Sequence, residues 1–358
     1  MTRTVTLQTI ADEIGVSRAT VSNAYNRPDQ LSAGLRERIL AAATRLGYPG
    51  PDPAARMLRT GRRGAIGLLF SEDLRTVFDD PDSALFIRGV TEAATDAGTV
   101  LTLIPVPVGV DPATSGVASS AVDGYLVFSV PDDHPALAMV LEQQVPIVLV
   151  DEPDLGRHHS FVGIDDRAGA RAAAAHIVAL GHSRIGAIVM RLGHRDQPGP
   201  VASREIGQST IRIVRERWAG YTDELEAAEI ATDTVPVWEA GANDPDRGRD
   251  AAFDLLTAHP EITALLCFSD QLAIGASQGA AALGRRVPED VSIVGFDDIP
   301  RATTWDPPLT TVSQPLVDKG RVAAELLMEG TRTGRARRVD LPIGLVVRES
   351  TAPPTTPS

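Results

Sequence analysis

From Ala65 onward, short apolar runs of strand length alternate with longer amphipathic stretches of helical period, and no other feature constrains the fold as strongly. A first set reads AIGLLF, ALFIRGVTEAATDAG, TVLTLIPV, DGYLVFSV and VPIVLVDEP. A second begins with SFVGIDD, the helical RAGARAAAAHIVALGH and RIGAIVM. It continues through a helix around IVRERWAGYTDELEAAE, then TVPVWEA, GRDAAFDLLTAH, ITALLCFSD, QLAIGASQGAAALG and VSIVGFDD. Alternation of this kind predicts a parallel sheet covered by helices, and its repetition predicts two similar α/β lobes in tandem. Lobes whose strand C-terminal ends face one another enclose a cleft, the place where open parallel sheets bind small molecules. The polar residues at those ends are Ser71, Asp151, Asp165, Ser269, Asp270 and Asp297. Carboxylates and hydroxyls around an apolar cleft suit a polyhydroxylated ligand, because one carboxylate accepts from paired hydroxyls.

The first 50 residues follow a different period. In TLQTIADEIGVSRATVSNAYN, Leu7, Ile10, Ala11 and Ile14 recur on one helix face, and Gly15 stands where a left-handed residue would stop that helix. Val16 fills the turn, Ser17 is a good N-cap, and Val21, Ala24 and Tyr25 give the next helix an apolar stripe. Its other face carries Arg18, Ala19, Ser22 and Asn23, which the four-residue spacing projects outward near the helix N-terminus. Two helices, a tight turn and a polar outer face predict a helix-turn-helix. A third stripe, Leu35, Ile39, Ala42, Ala43 and Leu46 behind the cap Ser32, closes a three-helix core before LGYPG ends it.

Charge separates the two parts. The chain has formal net charge -13, yet residues 1 to 64 hold ten arginines against five carboxylates, so residues 65 to 358 carry -18. A basic head neutralises phosphates that an acidic body repels, so nucleic acid is expected at one end only. The alternative is a helical hairpin that merely packs on something, but caps, turn glycine, polar face and local charge agree on the first reading.

With 358 residues and 43% hydrophobic composition, more than one domain is expected. No run of eighteen apolar residues and no secretory apolar core occurs, so a soluble cytoplasmic protein with no membrane partner is expected. The single Cys267, in ALLCFSD, excludes an intramolecular disulfide and reads as a packed strand residue. Lys319 is the only lysine. His158, His159, His182 and His194 lack ligand-like spacing, so neither a metal nor a cofactor is expected. The chain has no phosphate loop, nucleophile elbow or dinucleotide fingerprint, which argues against an enzyme. RLGHRDQPGPVASREIGQST, Arg191 to Thr210, lacks periodicity and is expected to be a mobile loop over the cleft mouth.

The ordered motifs TLQTIADEIGVSRATVSNAYN, LSAGLRERILAAATRLGY, DPAARMLRTGRRGAIGLL, ALGHSRIGAI, RERWAGY, SDQLAIGA, RVPEDVSIVGFDDIP and PPLTTVSQPL resemble the lactose-repressor (LacI/GalR) family of transcription regulators across nearly the whole chain. That resemblance implies that the second helix enters the major groove, where Arg18, Ala19 and Asn23 read base edges. Thr6, Ser17, Thr20, Ser22 and Asn26 would contact phosphate or cap helices. PDPAARML resembles a hinge helix in which Leu58 wedges into the minor groove and Ala54 and Ala55 allow close helix approach, although GYPGPDP is one residue longer than the usual spacing. In the cleft, Arg217 matches an effector-contacting arginine, Asp297 a strand-end aspartate, and Ser269 occupies an asparagine position. Asp151, Ile164 and Gln314 match further lining positions, and Ser71 completes the expected set. Alternatives remain at this stage: Asp297 or Asp298 caps a turn, Arg217 pairs with Glu216 at the surface, and Trp218 and Phe86 stack on a sugar or fill the core.

The implied organisation is a headpiece (1–50), a hinge (51–64), an effector-binding and dimerisation domain (65–351) and a disordered tail (352–358). Within the domain, lobe one spans 65–164 plus 315–337, and lobe two spans 165–314 plus 338–351. The two-lobed part is of the periplasmic-binding-protein-like type. The implied function is that of a homodimeric repressor on a near-palindromic double-stranded DNA operator, controlled by a small-molecule effector, a carbohydrate. A purine or other non-sugar ligand, or an activating role, is the alternative. TAPPTTPS has no apolar heptads, so a dimer rather than a tail-bundled tetramer is expected.

Overall fold

The computed structural model describes residues 5–50, 62–107, 109–111, 116–193, 197–333 and 335–355. The hinge residues Ala54, Ala55 and Leu58 lie outside the described residues, as do His194 and residues 356–358. The chain divides into two compact units, Met1–Gly64 and Ala65–Ser358.

In the first unit, α1 (Leu7–Ile14), α2 (Arg18–Asn26) and α3 (Ala33–Leu46) begin and end where local chemistry dictates. The Thr6 hydroxyl accepts from the Thr9 amide at 3.3 Å, Ser17 from Thr20 at 3.0 Å and Ser32 from Leu35 at 3.4 Å. Each satisfies an amide that the first helical turn leaves free. Gly15 (φ 72°) and Gly47 (φ 73°) close α1 and α3 in the left-handed conformation. Ile10, Ala11, Val21, Ala24, Ile39, Ala42 and Ala43 form the buried centre, ringed by Leu7, Ile14, Val16, Tyr25, Leu35 and Leu46 as the stripes require. Val5, Leu31 and Tyr48 also join it, the last edge-on to Tyr25 at 6.0 Å.

The second unit contains two sheets. β1 (Ala65–Phe70), α4 (Leu74–Asp79), α5 (Pro81–Asp96), β2 (Val100–Pro105), β3 (Tyr125–Phe128), α6 (Pro135–Leu141), β4 (Ile147–Val150) and β5 (Ser160–Ile164) build lobe one. Lobe two follows with α7 (Asp166–Ala179), β6 (Ile185–Val189), β7 (Gly199–Val201), α8 (Ser203–Gly207), α9 (Arg212–Ala227), β8 (Val237–Glu239), α10 (Pro245–Ala258), β9 (Ala264–Cys267), α11 (Asp270–Ala282), β10 (Ser292–Asp297), α12 (Pro300–Thr304) and β11 (Thr310–Ser313). The chain then returns through α13 (Leu316–Thr333) and β12 (Arg338–Leu341) to lobe one and ends in lobe two with β13 (Gly344–Val346). The lobe-one order is β12-β5-β4-β3-β1-β2, parallel throughout; the lobe-two order is β13-β11-β10-β9-β6-β8-β7, parallel except at its two edges.

Register decides what reaches the cleft. Phe70 is level with Phe128, and Phe128 with Val150, so the residues that follow, Ser71, Ser129 and Asp151, stand in a row at the C-terminal edge. The returning helix α13 lies close on α5 because both present glycine. A Cβ on Gly89 would meet Val317 O at 1.9 Å, and one on Gly320 would meet Phe86 O at 2.1 Å. That approach seats Lys319, beside Gly320, at the lobe junction.

Three expectations are corrected. Residues 338–341 belong to lobe one, because β12 pairs in parallel with β5, Arg338 opposite Phe161. The described part of 191–210 carries secondary structure: β7 pairs with β8, α8 starts where Glu205 accepts from the Ala202 amide at 2.8 Å, and Ile206 anchors it fully buried. The tail expected to be disordered is hydrogen-bonded where described. Ala352 O accepts from Ser292 at 3.0 Å and lies 2.8 Å from His182 Nε2, and Thr355 donates to Glu289 O at 3.3 Å.

Candidate functional site

A cavity of about 390 Å³ opens where the strand ends of the lobes meet. Lobe one lines it with Ser71, Glu72, Thr76, Val77, Asp79, Asp80, Asp82, Ser83, Phe128, Ser129 and Glu152. Lobe two contributes Met190, Arg191, Ile211, Ile213, Arg217, Gly241, Ala242, Asn243, Asp244, Ser269, Gln271 and Asp297. Strand-end residues at and just behind its wall have unusual backbone: Ser129 (φ 48°) and Asp297 (φ 114°), which line it, and Asp151 (φ 62°), one layer back, all lie at positive φ. Non-glycine residues hold such conformations at about 1–3 kcal/mol each, and they gather at ligand sites.

From the cavity wall inward runs a buried charge network. Arg217 Nε donates to Asp166 at 3.0 Å, its Nη1 lies 3.6 Å from Asp297, and its guanidinium stacks 3.6 Å from the Phe296 ring centre. Gln314 Nε2 donates to Asp297 Oδ1 at 2.7 Å, Lys319 Nζ donates to Gln314 Oε1, and Lys319 pairs with Asp151 at 2.9 Å. Arg217, Asp297 and Gln314 belong to lobe two and its exit, whereas Asp151 and Lys319 belong to lobe one, so the network crosses the junction. Burial holds Asp166 above the usual carboxylate range although Arg217 opposes it. Burial, then Asp82, raises Asp297 well above that range.

At the mouth, side chains of one lobe clasp the other. Arg191 pairs with Glu72, Arg215 with Asp132 at 2.8 Å, and Asn243 Nδ2 donates to Asp80 Oδ1 at 3.4 Å. Ser269 caps α11 by accepting from Leu272 at 3.1 Å and donates to Asn243 Oδ1. Asp80 caps α5 through Ser83.

Of the residues expected in the cleft, Ser71, Arg217, Ser269 and Asp297 line the cavity, Ser71 donating to Ser129 O at 3.0 Å. Asp151 and Gln314 sit one layer back, as partners of Lys319, and Ile164 packs in the lobe-two core. Arg217 is buried rather than paired with Glu216 at the surface. Trp218 and Phe86 fill cores, Phe86 stacked 4.0 Å from Phe128. Asp165 caps α7, and Asp270 accepts from Thr311 at 2.6 Å and from Ile299 at 2.9 Å. Sequence reasoning missed Glu72, Asp79, Asp80, Asp82, Glu152, Arg191, Asn243 and Asp244. The signals were a carboxylate directly after a strand-end residue, in SE and DE, and the acidic run FDDPDS.

On the headpiece, Arg18 and Ala19 are exposed and Asn23 is half-buried, its Nδ2 3.4 Å from Gln30 Oε1. Thr6 and Ser17 act as caps, Thr20 Oγ1 lies 2.8 Å from Ser17 Oγ, and Asn26 Nδ2 donates to Ser22 O at 2.8 Å. Among the described residues no group of three or more His, Cys, Asp or Glu could hold a metal ion, and no helix is long and apolar enough to cross a membrane.

Comparison with known proteins places both units. Residues 6–50 match the family described as bacterial regulatory proteins, lacI family, and residues 174–351 match a periplasmic binding protein-like domain. An HTH-type transcriptional regulator of Mycobacterium tuberculosis is 43% identical, covering 93% of this chain and 92% of its own. The complex of the transcriptional regulator CelR with cellobiose is similar at 32% identity and TM-score 0.71, covering 97% and 99% of the two chains. The lac repressor dimer bound to operator and the anti-inducer ONPF is similar at 25% identity and TM-score 0.79, covering 98% and 100%.

Proposed function

Since the chain belongs to the lacI family of bacterial regulatory proteins and is a transcriptional regulator, we propose that it is a cytoplasmic repressor that binds a near-palindromic operator as a homodimer and answers to a sugar in the inter-lobe cleft. The observation that carries this reading is a cavity lined from both lobes and clasped by pairs that join them. A ligand there interacts differently with open and closed lobes, and only such a difference shifts a conformational equilibrium. The solved relatives support it, one bound to cellobiose and one to operator.

On DNA, Arg18 takes a guanine bidentately, Asn23 pairs with adenine and Ala19 offers a methyl contact. Thr6, Ser17, Thr20, Ser22 and Asn26 fix the helix on phosphates, and Ala55 and Leu58 serve the hinge and its minor-groove wedge. Two-fold symmetry in the protein calls for two half-sites. Coupling of about 1–3 kcal/mol changes operator affinity roughly 5- to 150-fold.

The test is selection of binding sites from random duplexes by the full chain, followed by anisotropy titration with mono- and disaccharides and with nucleobases. A palindromic consensus released by one sugar is expected. A consensus without two-fold symmetry removes the dimer, and release by a nucleobase alone removes the sugar.

A further inference from the structure

Glu152 and Asp82 both line the cavity and each keeps one oxygen without a donor, although the Arg212 and Ile213 backbone amides bond the Glu152 carboxyl. Glu152 is 3% exposed, and among the described residues no donor reaches its Oε2 or the buried Oδ1 of Asp82. A buried acceptor without a partner is costly, so both side chains gain by turning these oxygens toward donors that enter the cavity they line. The two arginines of the wall are already engaged, Arg191 by Glu72 and Arg217 by Asp166 and Asp297. An anion entering the cavity meets carboxylates and committed cations.

We infer that the cavity selects an uncharged polyhydroxylated compound whose hydroxyls bond Glu152 and Asp82, and rejects phosphorylated and carboxylated forms of the same compound. This rests on the cleft being the effector site. Phe128, Ile211 and Ile213 give apolar cover to the carbon faces of such a ligand. Burial pushes Glu152 up to about 8, so near neutral pH it holds a proton. A protonated carboxyl both donates and accepts, which matches a hydroxyl rather than an ammonium.

The experiment is calorimetric titration and thermal melting of the full chain with hexoses, pentoses, disaccharides and sugar alcohols. Each is set against its phosphate, its acid where one exists, and an amine counterpart such as glucosamine. A neutral member binds best, and Glu152→Gln and Asp82→Asn each weaken it about tenfold. At about pH 9, where both groups are ionised, both variants also raise the ligand-free melting midpoint, because each removes a buried negative charge; a residue with a merely structural role would lower it. A phosphate, acid or amine that binds more tightly than its neutral parent overturns the inference. So does neutral binding that both variants retain while Asp297→Asn loses it, an outcome that spares the effector site. Binding that also survives Asp297→Asn places the ligand elsewhere, and a panel without any binder removes both readings.

Discussion

The headpiece and the lobed body treat polar side chains in opposite ways. Among its described residues the head buries only apolar side chains, and Arg18 and Ala19, the proposed recognition residues, are exposed on its three-helix core. The body encloses Arg217, Lys319, Asp151, Glu152 and Asp297 at its centre, each at most 5% exposed. Under the proposed function, one region recognises by surface and the other by interior. Specificity in the head is therefore separable from stability, whereas in the body the two are the same electrostatic problem.

The largest effect that sharpens this contrast comes from Arg217→Ala, which leaves Asp166 and Asp297 buried without their guanidinium. Breaking a buried pair on one side costs about 3–5 kcal/mol, read by urea unfolding of the full chain at pH 7. A loss below about 1 kcal/mol would erase the distinction between regions.

Next is the pH response. Burial pushes Glu152 up to about 8, and Asp82 and Asp270 up to about 7, so between the ordinary carboxylate range and pH 8 the folded body binds more protons than the unfolded chain. Stability then falls as pH rises through this window. The melting transition of the body should move up by several degrees from pH 8 to pH 5.5, and Glu152→Gln should flatten the upper part of that slope. A body that gains stability as pH rises across the window contradicts the assignment.

Arg18→Ala should cost about 1–3 kcal/mol on the operator, confined to one base-pair position, with urea stability unchanged within about 0.5 kcal/mol. An equal loss on every sequence would make Arg18 a phosphate contact. The smallest effect is Ser17→Ala, which removes the cap on Thr20 and should lower headpiece stability by about 1 kcal/mol, measured by amide exchange in α2.

The same contrast explains what the sequence made legible. Helical period and caps place Leu7 through Leu46 without reference to anything distant, so the headpiece core follows from pattern alone. Strand ends marked Ser71, Ser269 and Asp297 for the cavity, because a parallel sheet delivers its C-terminal edge to the cleft. Glu152 was hidden because its side chain reaches the cavity only after the chain passes Asp151 at φ 62°. Asp151 and Gln314 stood one layer too far back because Lys319, 168 residues from Asp151, comes between them and links them. Long-range pairing leaves no local period. The ordering of 197–210 likewise depended on an edge, β8, available only once the lobe had folded.

Lys319 carries the sole side-chain amino group of the molecule and is 2% exposed. A reagent that acylates amines therefore finds no target side chain on the folded body until α13 lifts from its seat on α5. Each acylation of Lys319, read in the peptide that carries it and apart from the chain's α-amine, records one such opening, so its rate becomes a clock for breathing at the lobe junction. Because Lys319 spans the two lobes through Asp151 and Gln314, the clock should slow when a ligand holds them together.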